Sequence, residues 1–273
     1  MSMELKEYNT DGFYVAKGLL KKSDVNSVNA SLLRSVAAQL SLLGAPTCAI
    51  DLFSSLRELH ARDIERYKKV VAALWRKSDV FDLMHSPAIR GFLRDKFHWQ
   101  ETFLPGGQVI LIMAEELKIP NGYFGLIPHQ DFPSVQGSLD GVVVWLPLTD
   151  VDKDNYPLEV IPGSHQKGLL SMIDHGNSTS EVDPAGYDEK KFIPLEVETG
   201  DVVFMSYFTI HRSRTVGTPG RCRIAVSTRF DNADELTYVE RAYPTAYVRS
   251  VHREQYVVAF PALKQVRRVF GNA

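Results

Sequence analysis

The succession of short β-prone segments in the second half of the chain constrains its fold more than any other feature of the sequence. From about residue 99, segments rich in valine, isoleucine and aromatic residues follow one another, each bounded by glycine, proline or aspartate. The segments are QVILIMAE, GVVVWLPL, LEVIPG, KFIPLEVE, DVVFMSY and CRIAVSTRF. Six or more such segments within about 130 residues predict a closed or nearly closed antiparallel β structure over residues 99–232.

Residues 1–98 have the periodicity of helices instead. In the first helical stretch, Ser23 and Asp24 are N-cap candidates, and apolar residues follow them at helical spacing. These apolar residues are Val25, Val28, Leu32, Leu33 and Val36. The segment LRELHARDIERYKKVVAALWRKS repeats the same period, and shorter helices are predicted at DVFDLMH and PAIRGFLRDKF. We therefore expect one domain, residues 1–273, with a mainly helical N-terminal part and a mainly β core.

The composition excludes several classes of protein. Of the 273 residues, 44% are hydrophobic and 23% are charged, which is ordinary for a globular protein with a sizeable core. A net charge of −2 gives no reason to expect binding to nucleic acid or anionic membranes, and no apolar run approaches the roughly 20 residues of a membrane span. Neither Cys48 nor Cys222 has a partner at a paired spacing, and the N-terminus has no apolar signal core, so a cytoplasmic location is expected.

The triplet His129-Gln130-Asp131 is the first candidate for a metal site. Residues two apart on an extended strand point the same way, so His129 and Asp131 would reach one ion together. Two histidines and one carboxylate on one face of a metal leave three positions open, as in non-haem Fe(II) oxygenases. A His-x-Asp triplet also occurs by chance in polar loops, so the prediction depends on a third ligand from another strand.

Four histidines downstream are candidates for the third ligand. His211 ends the predicted strand GDVVFMSYFTIH and is the best placed of the four. His165 lies in a Pro-Gly-Ser turn, where a turn or capping role is the stronger interpretation. His175 belongs to the polar segment 166–190, which is either a lid or a passive surface loop, and His252 belongs to the C-terminal segment.

The residues after His211 predict a second strand. A turn centred on Gly217-Thr218 would pair the two strands in antiparallel fashion and set His211 opposite Arg223 or Ile224.

The same strands present a candidate anion receptor. Alternation places Arg221, Arg223, Ala225 and Ser227 on one face, and Ser213 shares the face of His211. An arginine and a hydroxyl beside a metal ligand form a receptor for a carboxylate, because the guanidinium fork binds it bidentately. The alternative is that Arg223 is an exposed arginine, on a strand with one buried face and one solvent-facing face.

The motifs HQD, PGSH, GD…H-x-S and R-x-A-x-S, in this order, resemble the phytanoyl-CoA dioxygenase family of Fe(II)/2-oxoglutarate-dependent oxygenases. YNTDGFYVAKGLLKKSDV is similar to the opening of that family, so the resemblance covers roughly residues 7–232. It implies a double-stranded β-helix (a jelly-roll, cupin-like core of two facing antiparallel sheets) with helices packed outside. It also implies a hydroxylase of small molecules that uses Fe(II), 2-oxoglutarate and O2 and releases succinate and CO2.

The resemblance also implies roles for individual residues. The metal ligands of the family fall on His129, Asp131 and His211. The positions that bind 2-oxoglutarate or line its pocket fall on Arg223, Ser213, Gln130 and Trp145. Related halogenases carry a small residue where this chain has Asp131, so the carboxylate favours hydroxylation or desaturation over halogenation.

The chain departs from the pattern of the family in three places. The interval from His211 to Arg223 is 12 residues, one longer than expected, which keeps Arg221 as an alternative anchor for 2-oxoglutarate. An Asn-Gly turn before the PGSH strand is replaced by Asn155-Tyr156-Pro157, and about forty C-terminal residues match nothing in the family.

The primary substrate and the oligomeric state stay open. Residues 241–273 contain six lysines and arginines against one acidic residue, which favours an anionic substrate or a solvated or oligomer-forming terminal helix. Tyr123, Phe124 and Phe132 line a substrate pocket or fill the mouth of the barrel. Two other functions are a cupin-like metalloenzyme that does not use 2-oxoglutarate and a non-catalytic small-molecule-binding barrel. Arg223 disfavours the first, and the intact ligand set disfavours the second. A structural zinc site would need more ligands, rich in cysteine.

Overall fold

The computed structural model describes residues 2–45, 51–120, 122, 124–174, 180–241 and 243, and its centre consists of two antiparallel β-sheets. In chain order the strands are β1 (Phe13–Ala16), β2 (Thr102–Phe103), β3 (Val109–Met113), β4 (Val142–Pro147), β5 (Leu158–Val160), β6 (Met172–Asp174), β7 (Ser180–Val182), β8 (Ile193–Pro194), β9 (Val202–Ser206), β10 (His211–Ser213) and β11 (Arg223–Asn232). The large sheet has the order β1-β9-β4-β11-β2, with β3 also paired to β11. The small sheet has the order β10-β5-β8, and β6 and β7 form a separate hairpin.

The large sheet is buried on both faces, because strands such as β4 and β9 are apolar at nearly every position. Val142 and Val144 of β4 belong to the hydrophobic cluster that the helices cover. Val143 and Trp145 alternate with them and belong to a second cluster, which also contains Leu158 of β5 from the small sheet. The predicted antiparallel β core is therefore confirmed, and its interior lies between the two sheets.

The helices of the described part lie mainly before the β core. They are α1 (Met3–Asp11), α2 (Lys22–Leu42), α3 (Leu52–Arg62), α4 (Ile64–Leu74), α5 (Ser78–Met84), α6 (Pro87–Phe97) and α7 (Phe132–Val135). On α2, Val25, Val28, Leu32 and Val36 are buried in the cluster on the outer face of the large sheet. The predicted helical N-terminal part is confirmed, except that it also contains β1, which pairs with β9.

Two predicted helix boundaries are wrong. The stretch predicted as one helix is two, α3 and α4, because Asp63 is extended (φ −155°, ψ 91°). Its side chain accepts a hydrogen bond from the Arg66 backbone N–H at 2.9 Å and thereby caps α4. In α2, Ser23 and Asp24 lie inside the first turn, and the N-cap position is Lys21, whose side chain makes no capping bond.

β10 and β11 do not pair with each other, so the predicted pairing of His211 with Arg223 or Ile224 is wrong. His211 lies opposite Val160 of β5 in the small sheet. Arg223 lies opposite Met113 of β3 in the large sheet. The segment that joins the two strands crosses from one sheet to the other, so the turn at its centre does not close a hairpin.

Segment 166–190 contains the β6–β7 hairpin and short 3₁₀ turns. The backbone N–H of Val182 donates to the carbonyl of Pro128 at 2.9 Å, so the segment is tied to the start of the His129 loop. His175, Tyr123 and His252 lie outside the described residues, as does most of the basic C-terminal segment. A lid function for segment 166–190 and the single-domain organisation stay predictions. In the described part, no helix is long and apolar enough to cross a membrane.

Candidate metal centre

His129, Asp131 and His211 come together in the interior of the protein. The ligand atoms of the three side chains all lie within 4.8 Å of one another, and all three residues are buried. The backbones of His129 and His211 exchange two hydrogen bonds, of 3.0 and 3.1 Å, which hold the two histidines side by side. The candidate ligands from the triplet and from the later strand are therefore neighbours in space, as predicted.

Asp131 reaches the two histidines by a different backbone path from the one predicted. It is helical (φ −79°, ψ −24°) and precedes α7, so the triplet is not a continuous extended strand. Its backbone N–H and that of Phe132 both donate to the carbonyl of Tyr207, at 2.9 and 3.2 Å. This turn brings the carboxylate back, and Asp131 Oδ1 lies 3.7 Å from His129 Nε2.

Both imidazoles present Nε2 to the shared space. His129 Nδ1 contacts the carbonyl of Ile127 at 2.7 Å, and His211 Nδ1 contacts the carbonyl of Thr209 at 3.0 Å. Since a carbonyl only accepts, each Nδ1 carries the proton and each Nε2 carries a lone pair. His129 Nε2 is buried and has no hydrogen-bond partner among the described residues. An orphaned buried acceptor of this kind is the environment that a metal ion would complete.

The protonation states suit metal binding. Burial lowers the pKa of His129, and burial together with the neighbouring His129 lowers the pKa of His211 to about 3. Burial alone would raise the pKa of Asp131, but Arg229 and the two histidines lower it to about 2. The site therefore consists of two neutral imidazoles and an ionised carboxylate, the forms in which these side chains bind metals.

Arg229 contacts one of the candidate metal ligands and is absent from the predicted set. Its Nη2 donates to both oxygens of Asp131, at 3.2 and 3.0 Å. It lies on β11, where Arg223, Ala225 and Ser227 alternate onto the interior face, and the same alternation brings Arg229 there. Continuing the alternation of Arg223, Ala225 and Ser227 by two more residues identifies Arg229 as an interior position from the sequence alone.

Arg223, Ser213 and Trp145 form a second polar group in the interior. Arg223 is fully buried, and its Nη2 lies 3.4 Å from Ser213 Oγ. Its Nη1 donates to the carbonyl of Tyr156 at 2.9 Å, and its guanidinium lies 6.0 Å from the centre of the Trp145 ring. The predicted arginine, serine and tryptophan are thus brought together, although Ser213 and Arg223 are on different sheets.

Two other predicted positions are not in this interior space. Arg221 is half-exposed and forms an ion pair with Asp152 at 2.7 Å, so it is a surface residue and the interior arginine is Arg223. The amide of Gln130 bonds the backbone of Gly168, Phe208 and Leu170 and does not border the metal cavity. Gln130 therefore ties the triplet to segment 166–190.

The remaining candidates have structural contacts. His165 lies in a 3₁₀ turn, and its Nε2 contacts the carbonyl of Asn9 at 3.0 Å, in keeping with a turn role. Phe132 stacks on Phe208 with ring centres 4.7 Å apart. Phe124 lines an outer cavity, described next.

The space at the metal ligands is small and adjoins larger cavities. The metal cavity, bordered by His129, His211, Trp145 and Arg229 among others, has a volume of about 20 Å³, enough for one ion or water. A polar cavity of about 540 Å³ and an apolar cavity of about 400 Å³ lie next to it. Leu126 borders all three, so it is part of the wall between them.

The chain matches a family model and several curated proteins. A sequence model described as phytanoyl-CoA dioxygenase matches residues 8–225. Phytanoyl-CoA dioxygenase 1 of Oryza sativa subsp. japonica is 37% identical over 97 residues, which cover 32% of this chain and 32% of that protein. The matched part of the chain spans about a third to a half of the length of the curated relatives.

Solved structures share the fold at low identity. The epimerase SnoN, in complex with Fe3+, alpha ketoglutarate and nogalamycin RO, has a TM-score of 0.57 at 15% identity, with 84% of this chain and 82% of SnoN covered. HygX from Streptomyces hygroscopicus, with nickel and 2-oxoglutarate bound, has a TM-score of 0.51 at 17% identity, with 94% of this chain and 99% of HygX covered.

Proposed function

The chain belongs to the phytanoyl-CoA dioxygenase family, and from this premise we propose that it is an Fe(II)- and 2-oxoglutarate-dependent oxygenase of a small molecule. The observation that carries the proposal is the buried set of His129, Asp131 and His211, in the protonation states that bind a metal. Two histidines and one carboxylate with open positions are the ligand set of non-haem Fe(II) oxygenases. When bound, Fe(II) with 2-oxoglutarate as co-substrate would activate O2, the oxidant: one oxygen atom would go to succinate as 2-oxoglutarate loses CO2, and the other would serve to oxidise the substrate.

The side chains around the ligands have the roles that this chemistry requires. The Nδ1–H bonds to Ile127 and Thr209 fix the orientation of both imidazoles. Arg229 holds the carboxylate of Asp131 ionised and in place. Because Asp131 occupies the position that a halide would need, hydroxylation or desaturation is the proposed outcome.

Arg223 and Ser213 are the proposed receptor for the distal carboxylate of 2-oxoglutarate. Both side chains are buried between the sheets, where a charge-assisted hydrogen bond is strong. The two antiparallel sheets support the double-stranded β-helix of this family, and the cofactors in SnoN and HygX support the same assignment for this chain. 2-Oxoglutarate is larger than the 20 Å³ metal cavity, so we expect it to extend into adjoining space, such as the polar cavity that Ser213 also lines.

The test is an anaerobic titration with Fe(II) and then 2-oxoglutarate, which yields a weak visible charge-transfer band when the chelate forms. We expect the band in the wild-type protein and in Arg221→Gln, which alters a surface ion pair. Arg223→Gln should need at least about tenfold more 2-oxoglutarate, because it loses a buried charge-assisted contact. Circular dichroism of both variants controls for folding.

The same titration separates the alternatives. Metal binding without a 2-oxoglutarate band would favour a cupin-like enzyme that does not use 2-oxoglutarate. Binding of both without succinate release in a broad substrate screen would favour a non-catalytic barrel. A stronger effect of Arg221→Gln than of Arg223→Gln would contradict the proposed anchor. A cytoplasmic location and the absence of nucleic-acid or membrane partners stay predictions from the sequence.

A further inference from the structure

An apolar cavity of about 400 Å³ lies between helix α4 and strand β3. Tyr67, Val71 and Trp75 line it from the side of the helix, and Val109 and Ile112 line it from the strand. We call it the α4–β3 cavity. Its volume falls within the range of about 300–1,000 Å³ that is typical of small-molecule pockets, towards the lower end. A single ring system or a short chain would fill it.

The inner end of the α4–β3 cavity adjoins the metal ligands. Leu111, Leu126 and Arg229 border both this cavity and the metal cavity. The guanidinium of Arg229 contacts the carboxylate of Asp131 at 3.0 Å. A molecule in the cavity would therefore be separated from a metal ligand by a single side chain.

The charged residues that line the cavity are both cationic. They are Lys68, near its helical wall, and Arg229, which is largely buried, and no carboxylate among the described residues lines it. The neighbouring polar cavity differs, because its Glu159 accepts from Arg212 at 2.7 Å and lies 3.7 Å from Arg214. Both cations of the α4–β3 cavity are also paired, Lys68 with Glu65 at 2.6 Å and Arg229 with Asp131 at 3.0 Å. The Nε of Arg229 is nevertheless buried without a hydrogen-bond partner among the described residues, so this guanidinium can still donate a hydrogen bond to an acidic group.

We propose that the α4–β3 cavity binds the primary substrate, and that this substrate is a compact, mostly apolar molecule with one acidic group directed at Arg229. The inference rests on the proposed function, because the metal centre is what would oxidise the bound molecule. Apolar walls supply the affinity through burial of the body of the ligand, and the guanidinium fixes its orientation. Arg229 would then contact both the substrate and Asp131.

Two alanines of α4 provide a matched pair of variants. Ala72 and Ala73 are adjacent and exposed, but only Ala72 lines the cavity. Ala72→Trp would fill the entrance, while Ala73→Trp adds the same indole outside the cavity. Thr215→Trp, at an exposed residue of the polar cavity, tests the other location.

The measurement is calorimetric titration of the full chain with 2-naphthoate, with and without Ni(II) and 2-oxoglutarate. We expect equal affinity in the wild type, Ala73→Trp and Thr215→Trp, and at least about tenfold weaker binding in Ala72→Trp. 2-Naphthylmethylammonium, the same ring system with a positive charge, should bind at least about tenfold more weakly than 2-naphthoate.

Three outcomes would overturn the inference. Equal affinities of Ala72→Trp and Ala73→Trp would place the ligand elsewhere, and selective loss in Thr215→Trp would place it in the polar cavity. Equal binding of the cation and the anion would remove the role of Arg229. If any of these three outcomes is found while the Fe(II)–2-oxoglutarate band is present, the substrate inference is wrong and the proposed function stands. If Ala72→Trp weakens 2-naphthoate binding but the wild-type protein gives no Fe(II)–2-oxoglutarate band, the proposed oxygenase function is wrong. The α4–β3 cavity would then be a ligand site, but its ligand would not be an oxygenase substrate.

Discussion

Arg229 determines the environment of Asp131 through a direct contact with both carboxylate oxygens. Burial on its own would raise the pKa of Asp131, and the guanidinium is the strongest of the opposing influences. A cation that contacts a ligand also limits the directions in which the carboxylate can turn. Groups of this kind, which orient a metal ligand without touching the metal, typically change metal affinity by about 10–100-fold.

We therefore predict that Arg229→Gln weakens binding of Ni(II) by about tenfold, because Asp131 loses the group that orients it. Calorimetric titration with Ni(II) measures the change. Arg221→Gln is the control. Arg221 lies just before the same strand, and its ion-pair partner Asp152 is not a candidate metal ligand. Tighter binding in Arg229→Gln would contradict the prediction, because it would show that the guanidinium mainly repels the metal.

At this scale the residues of the site could be predicted, but their local conformations could not. The type and order of His129, Asp131 and His211 are visible in the sequence, and alternation along β11 identifies the interior position of Arg223. The helical backbone of Asp131 depends on the carbonyl of Tyr207, about 75 residues later in the chain. A contact of that separation leaves no mark on the local pattern.

The turn between β9 and β10 positions the loop of the candidate metal ligands His129 and Asp131. The carbonyl of Tyr207 accepts from the backbones of Asp131 and Phe132, and its hydroxyl contacts Asp231 Oδ1 at 2.9 Å and the carbonyl of Phe230 at 3.0 Å. One residue thus joins the loop of the triplet to the end of β11. Gly141 packs against the ring, where a Cβ atom would collide with it.

We predict that Tyr207→Phe lowers the free energy of unfolding by about 1–3 kcal/mol, because buried Asp231 loses a hydrogen-bond donor. Urea denaturation measures the change. Tyr187→Phe is the matched control, because Tyr187 is partly exposed and sits outside this network, and its effect should stay within about 0.5 kcal/mol. Similar losses in the two variants would contradict a structural role for the Tyr207 hydroxyl.

Elements were easier to predict than their partners. Apolar periodicity identifies β4, β9, β11 and α2, since it depends on which face of each element is buried. It does not state which strand lies alongside, and the assumption of a local hairpin led to the wrong partner for β10. Periodicity does not show the break at Asp63 either, because the apolar period continues through it and the Asp63 cap marks the start of the new helix.

In the molecule as a whole, the candidate metal centre lies where the two sheets meet. His211 belongs to the small sheet, and Arg223 and Arg229 belong to β11 of the large sheet. Asp131 stands between them, close to His129 and His211 and in contact with Arg229. The helices pack on the face of the large sheet that is opposite the candidate metal centre. Helix α4 also forms a wall of the α4–β3 cavity.

A metal at this place would link two separated parts of the chain, the triplet of His129 and Asp131 and the strand of His211, so its binding should stabilise the whole fold. A ligand that binds only the folded state at 100 times its dissociation constant contributes about 2.7 kcal/mol. For a chain of this size we expect Ni(II) to raise the unfolding temperature by roughly 5–10 °C in differential scanning calorimetry. His211→Ala should lose this increase, whereas His165→Ala should keep it, because His165 lies in a 3₁₀ turn, where its Nε2 contacts the carbonyl of Asn9, and is not one of the candidate metal ligands. Equal increases in the two variants would show that Ni(II) stabilises the protein from another site.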